Sequence, residues 1–162
     1  MRIGVLSDTH DNVDATKKAV NAFAEIGVSL VIHCGDITTP EIVSLFTEWP
    51  THFVFGNMDT NQAALKEAIE EEGHQCHGYF GEIEIAGVSV AFLHSHDQKW
   101  FNQVKSSGEY NLVFYGHTHQ AEEHKEGETI VINPGALYRA DYFSCVIYDL
   151  AQMKATLLEI EK

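Results

Sequence analysis

Five short apolar runs in this chain each lead into a residue type that can bind a cation. The run at 2–7 meets Asp8 and His10, the run at 28–33 meets Asp36, and the run at 52–55 meets Asn57; the run at 88–93 meets His94, and the run at 112–115 meets His117 and His119. In an α/β sheet, loops beyond the carboxyl ends of the strands converge on one crevice, so these seven side chains can share one site. Two divalent cations held a few ångströms apart need a bridging carboxylate and separate oxygen or nitrogen ligands on each side, which is the inventory collected here. Asp36 is the bridging candidate. With Asp8 and Asp36 as the only charged ligands, two of roughly four positive charges are offset, and the remainder attracts a phosphate group.

The elements that would position these residues can be read from periodicity. A β-rich run at 2–7 precedes Val13, Ala19, Val20, Phe23 and Ile26 at near-helical spacing, stopped by Gly27. The unit recurs: a strand at 28–33 is followed by Thr39 as N-cap and Pro40 at the first helical position of a short helix to about Phe46. A third strand at 52–55 precedes a helix through Ala64, Leu65, Ala68 and Ile69, with Thr60 as its expected cap. Three βα units predict a parallel sheet with right-handed crossovers. From Gly81 the pattern changes to period two on either side of Ala86-Gly87, which predicts a hairpin and the start of a second sheet. A helical turn or two at 99–104, strands at 112–115 and 129–132, and a closing hairpin turning at 151–153 complete the expected order. Two mixed sheets face to face, with helices outside, are expected.

Composition narrows the partners. With 162 residues the chain fits a single domain spanning 1–162 that buries a sizeable core without disulfides. The formal net charge of −14 argues against duplex nucleic acid, which needs clustered Lys and Arg, but leaves a small phosphate ester possible where bound cations reverse the local field. The first apolar run is too short for a signal peptide or a spanning helix, so a cytoplasmic location without membrane attachment is expected. Cys34, Cys76 and Cys145 are widely separated and suit reduced thiols. Homo-oligomerisation is left open.

The motifs SDTHDN at 7–12, GD at 35–36, GN at 56–57, LHSH at 93–96 and GHTH at 116–119 stand in an order and spacing that resembles the calcineurin-like metallophosphoesterase superfamily, and within it the small YfcE-type phosphodiesterases. The resemblance runs from Arg2 to about Arg139. It implies a four-layer α/β/β/α sandwich. It implies Asp8, His10 and His119 on one metal, Asn57, His94 and His117 on the other, and Asp36 between them. Manganese is the first expectation for both ions, with iron, zinc or nickel as alternatives. The implied reaction is hydrolysis of a phosphodiester in a small substrate by a metal-bridging hydroxide that attacks in line with the leaving oxygen.

Two departures bear on the chemistry. Many relatives carry a histidine after Gly-Asn, where it can protonate the leaving group; here Met58 follows, and it cannot transfer a proton. His96 is the candidate acid in its place, since strand-like spacing would set it on the same side as His94. Asn12 and Arg139 are candidates for phosphate or structural contacts, and Ala136 stands where the family pattern favours serine. Asn133-Pro134-Gly135 reads equally as turn or substrate contact, whereas His33, His52, His74, His77 and His124 read as core or surface histidines. Alternative functions are a phosphomonoesterase acting on nucleotides or proteins, and a non-catalytic protein-binding scaffold on the same fold.

Overall fold

The computed structural model describes residues 1–162, and its layers follow from side-chain alternation along the strands. In β1 (Arg2–Leu6), Ile3 and Val5 point one way and Leu6 the other; in β2 (Leu30–His33), Leu30 and Ile32 oppose Val31. In β6 (Val88–Leu93) and β7 (Leu112–Tyr115), Val90, Phe92, Leu112 and Phe114 oppose Ala91, Leu93, Val113 and Tyr115. The first set from each strand fills the space between two sheets, and the second faces helices. A period of two thus builds three stacked apolar layers.

The first sheet has the order β11-β10-β1-β2-β3-β4, where β3 is Thr51–Phe53, β4 Gln75–Cys76, β10 Phe143–Asp149 and β11 Lys154–Ile160. From β1 to β4 it is parallel, and β10 and β11 close it antiparallel. Helices α1 (Val13–Ile26), α2 (Pro40–Val43) and α3 (Gln62–Glu71) supply the apolar side chains that cover its outer face. Phe23 of α1 lies so close to β1 that a Cβ at Gly4 would stand 2.8 Å from its ring, which explains the glycine inside a central strand. The second sheet runs β5-β6-β7-β9-β8, with β5 Phe80–Ile85, β8 Ala121–Glu126 and β9 Thr129–Pro134, and α4 (Gln98–Ser106) packs outside it through Phe101 and Val104. The arrangement is the expected α/β/β/α sandwich of two mixed sheets. No helix is long and apolar enough to cross a membrane.

Several local expectations change. Asn61, not Thr60, caps α3, its side chain accepting the Ala64 N–H. Thr39 precedes α2 but makes no side-chain cap; its hydroxyl donates to Asp11 Oδ1 at 2.8 Å instead, and α2 ends at Val43. The segment at 74–77 contains the short strand β4, added to the sheet edge by backbone pairing with β3. The strand β8 has no counterpart in the periodicity, because its sequence AEEHKE alternates nothing apolar.

Candidate metal centre

The loops after β1, β2, β6 and β7 meet at one end of the sandwich, and backbone hydrogen bonds set their spacing. Asp8 N–H donates to Gly35 O at 3.0 Å, His10 N–H to Asp36 O at 3.1 Å, and Leu137 N–H to Asp8 O at 3.2 Å. Asp8, His10, Asp36, His117 and His119 all have positive φ, between 41° and 82°. Such backbone is uncommon outside glycine and clusters where function requires a particular side-chain aim. Two glycines permit the approach: a Cβ at Gly56 would stand 2.6 Å from the Asp36 nitrogen, and one at Gly116 would stand 2.9 Å from Asp8 Oδ2.

Each carboxylate uses one oxygen for structure and presents the other. Asp8 Oδ2 accepts from Ser7 Oγ at 2.6 Å and from His117 N–H at 3.0 Å, while Oδ1 has no hydrogen-bond partner. Asp36 Oδ1 accepts the Met58 N–H at 2.8 Å, and its Oδ2 faces His94 Nε2 at 3.1 Å and His10 Nε2 at 3.3 Å. His119 Nε2 lies 3.1 Å from Asp8 Oδ1, with the Nε2 atoms of His10 and His94 at 3.6 and 3.7 Å. Two ligand groups result, Asp8 with His10 and His119, and Asp8 with Asp36 and His94.

The orphaned atoms of the donor set show that it fits divalent cations. Cys34 O lies 2.8 Å from His94 Nδ1 and Arg139 O lies 3.3 Å from His119 Nδ1, so each Nδ1 carries the proton and donates to a backbone carbonyl. A neutral ring then turns its Nε2 lone pair towards carboxylate lone pairs, an arrangement that repels unless a cation lies between them. The buried Nε2 atoms of His10 and His94 accordingly have no hydrogen-bond partner. Without cations the same proximity acts on protons. Burial pushes the Asp8 carboxyl up, but the closely facing His10 and His119 rings and the His94 charge outweigh it and hold that carboxyl well below the usual range. Burial likewise opposes ionisation at Asp36 and is outweighed chiefly by His94, whose own pKa is raised by Asp36 and Asp8 against its burial.

Comparison with known proteins places this arrangement. The calcineurin-like phosphoesterase superfamily domain matches residues 1–153. The chain belongs to that superfamily. It is 33% identical over 138 residues to a phosphodiesterase of Methanocaldococcus jannaschii, covering 83% of each chain. The solved structure of a novel archaeal phosphodiesterase superposes with a TM-score of 0.91 at 29% identity, covering 98% of this chain and 99% of that one. The phosphoesterase Yfce from E. coli shares the fold, with a TM-score of 0.70 at 18% identity and coverage of 99% and 100%. This calcineurin-like chain is a hydrolase of the metallophosphoesterase family, whose members use divalent metal ions.

The His117 ring meets the His94 ring edge-on at 5.2 Å, with its pKa lowered by burial and by the His94 charge. Asn57 is exposed between Gly56 and Met58, whose amides bond Asp59 and Asp36. The His96 ring lies 5.8 Å from that of His94, although the reason differs from strand alternation: β6 ends at Leu93, and Ser95 at φ 65° turns the chain back. Asn12 is occupied by structure, its Nδ2 donating to Leu137 O and its Oδ1 accepting the Ala15 N–H as the α1 cap. Arg139 stacks its guanidinium 5.0 Å over Tyr138, and that ring lies 4.7 Å from His10. Asn133 serves its turn, donating to Thr118 Oγ1 and accepting from Gly135 N–H.

One residue was missed. Asp59 is 2% exposed, and its carboxylate accepts three backbone N–H groups: Asp36 at 3.0 Å and Gly56 at 2.7 Å on Oδ2, and Thr38 at 2.7 Å on Oδ1. It ties the loop carrying Asp36 to the loop carrying Asn57. The signal was available in Gly56-Asn57-Met58-Asp59, an acidic residue two positions beyond a proposed ligand. Of the other histidines, His74 is buried against Phe53 with its Nε2 unpartnered, and the remaining four have local partners. His33 is enclosed, with Thr9 Oγ1 on Nε2 and Gly35 N–H on Nδ1; His52 and His77 share a 2.8 Å hydrogen bond; His124 pairs with Glu122. Cys34 and Cys145 are buried, and all three thiols are free.

Proposed function

We propose that this chain, acting as one domain over 1–162, hydrolyses phosphodiester bonds of small substrates at a centre of two divalent cations. The reading is carried by the convergence of Asp8 Oδ1 and Asp36 Oδ2 with the Nε2 atoms of His10, His94 and His119. Asp8, His10 and His119 would hold one ion, and Asn57, His94 and His117 the other, with Asp36 the carboxylate that would serve both. Manganese is the first choice, with iron, zinc or nickel as alternatives. Bound there, the cations supply a water of lowered pKa as nucleophile and neutralise charge on the phosphoryl oxygens. The chain contributes placement: Cys34 O and Arg139 O fix the tautomers and ring planes of His94 and His119, and the Ser7, His117 and Met58 donors fix the carboxylates. His96 is the group available to protonate the leaving oxygen, since the side chain at 58 has no proton to give. The cytoplasm is the proposed location.

Metal analysis of the purified protein, with turnover of bis-p-nitrophenyl phosphate beside p-nitrophenyl phosphate, tests this directly. Metal-dependent hydrolysis favouring the diester is expected. A monoester preference would transfer the assignment to phosphomonoesterases. Asp36→Ala should lose metal and activity together, and activity retained in metal-replete buffer would remove Asp36 from its role.

A further inference from the structure

One ring removed from the metal-binding histidines stands an aromatic side chain with defined neighbours and an open face. Tyr79 is 44% exposed. Its hydroxyl accepts from Gln62 Nε2 at 2.5 Å, and its ring meets Phe55 edge-on at 6.3 Å. On a further side lies His96 at 5.8 Å, itself 5.8 Å from His94 and 6.3 Å from His117. A continuous run of rings therefore leads from the metal-binding histidines out to Tyr79. Phe55 and Gln62 bracket the loop that contains Met58, whose N–H is fixed on Asp36 and whose side chain is 50% exposed. A large aromatic side chain left uncovered at the edge of a charged centre makes a surface that water solvates poorly.

We infer that Tyr79, with His96 at its border, is a stacking surface for a planar aromatic arm of the phosphodiester, an aryl group or nucleobase. The inference rests on the phosphodiesterase reading and names its substrate class. An aromatic ring offers a flat arm a face that an alkyl arm cannot match, and a tyrosine ring, with few rotatable bonds, loses little freedom when the ligand stacks. Trp100, the other exposed large aromatic near this half of the sheet, does not compete: it packs at 5.5 Å on Phe80, and Phe80 in turn on Tyr110.

Two measurements on the manganese-loaded protein test the inference. Calorimetry gives dissociation constants for phenylphosphonate and methylphosphonate, and kinetics gives kcat/KM for bis-p-nitrophenyl phosphate and methyl p-nitrophenyl phosphate, which share a leaving group. The wild type should favour the aromatic member of each pair. Tyr79→Ala and Tyr79→Leu should reduce that preference by about 5- to 150-fold, the range for loss of one aromatic stack, whereas Tyr79→Phe should keep it. Leucine retains apolar bulk without a π face, so equal preference in the leucine variant overturns the proposal, as does a wild type indifferent to the arm or loss of preference in the phenylalanine variant. Aromatic preference in binding without any turnover sinks the hydrolase reading and leaves the stacking surface standing. Turnover with no preference does the reverse.

Discussion

Replacing Asp59 tests whether the metal centre is held together from behind. Its carboxylate accepts three N–H groups from two loops, and it is nearly inaccessible to solvent. In Asp59→Asn the amide oxygen can take the place of Oδ2 and keep the bonds from Asp36 and Gly56, but the NH2 group then confronts the Thr38 N–H. One buried donor loses its acceptor, at about 1–3 kcal/mol. Asp59→Ala removes all three acceptors and costs more, with water entering the vacated space to limit the loss. If that energy is relieved by the two loops moving apart, the asparagine variant binds metal about 10- to 100-fold more weakly, the range expected when an outer partner of a metal ligand is removed.

The assay is calorimetric titration of metal-free protein with manganese, run beside thermal unfolding. A control separates positioning from general loss of stability: Leu65→Ala opens a cavity under α3 and should cost about 2–5 kcal/mol while leaving metal affinity unchanged. Asp59→Ala that binds metal as tightly as the wild type would refute the reasoning, as would equal loss of affinity in the Leu65 control.

Two further outcomes are expected. His96→Gln should lower kcat about 100-fold or more for esters with poor leaving groups and little for p-nitrophenolate, because only the former need a proton; an equal loss across a graded series of aryl esters would remove His96 as the acid. Burial lowers the pKa of His33 from 6.5 to about 3, so between those values the unfolded chain binds a proton that the folded chain refuses. Stability must therefore fall as pH falls through that window, by up to about 1.4 kcal/mol per pH unit. In His33→Gln the slope from pH-dependent denaturation should be shallower than in the wild type, and an unchanged slope would contradict a neutral buried ring.

The strands that deliver candidate ligands were legible because each is largely buried in one of two sheets and so reads as a continuous or alternating apolar run. The loop chemistry after each run was legible for the same reason: polar side chains abruptly follow a core strand. What escaped has a different physical origin. β8 is an edge strand whose residues face solvent, and only its backbone pairing with β9 defines it. Asp59 carries its information in bonds to backbone N–H groups of residues 36, 38 and 56, which no spacing rule connects. Left-handed backbone at Asp8, His10, Asp36, His117 and His119 was equally invisible: Asp and His enter that region more readily than most residues, but only a small minority of them do, so residue type alone does not mark it.

That strain also bears on how the centre forms. Left-handed conformations at non-glycine residues cost of order 1–3 kcal/mol each, and five occur among the candidate ligands. Buried carboxylates within reach of one another add repulsion. The opposing contributions present in the chain itself are inter-loop bonds: Asp8 to Gly35, His10 to Asp36, Leu137 to Asp8, and the three accepted by Asp59. All lie on the protein side of the ligands and none uses Asp8 Oδ1, Asp36 Oδ2 or the Nε2 atoms of His10 and His94. The scaffold therefore fixes the ligand directions while leaving the ligand atoms free, so cation binding need not first organise the loops. It follows that chelation should leave the sandwich folded and its loops close to their present positions, with the cations stabilising an existing arrangement by mass action.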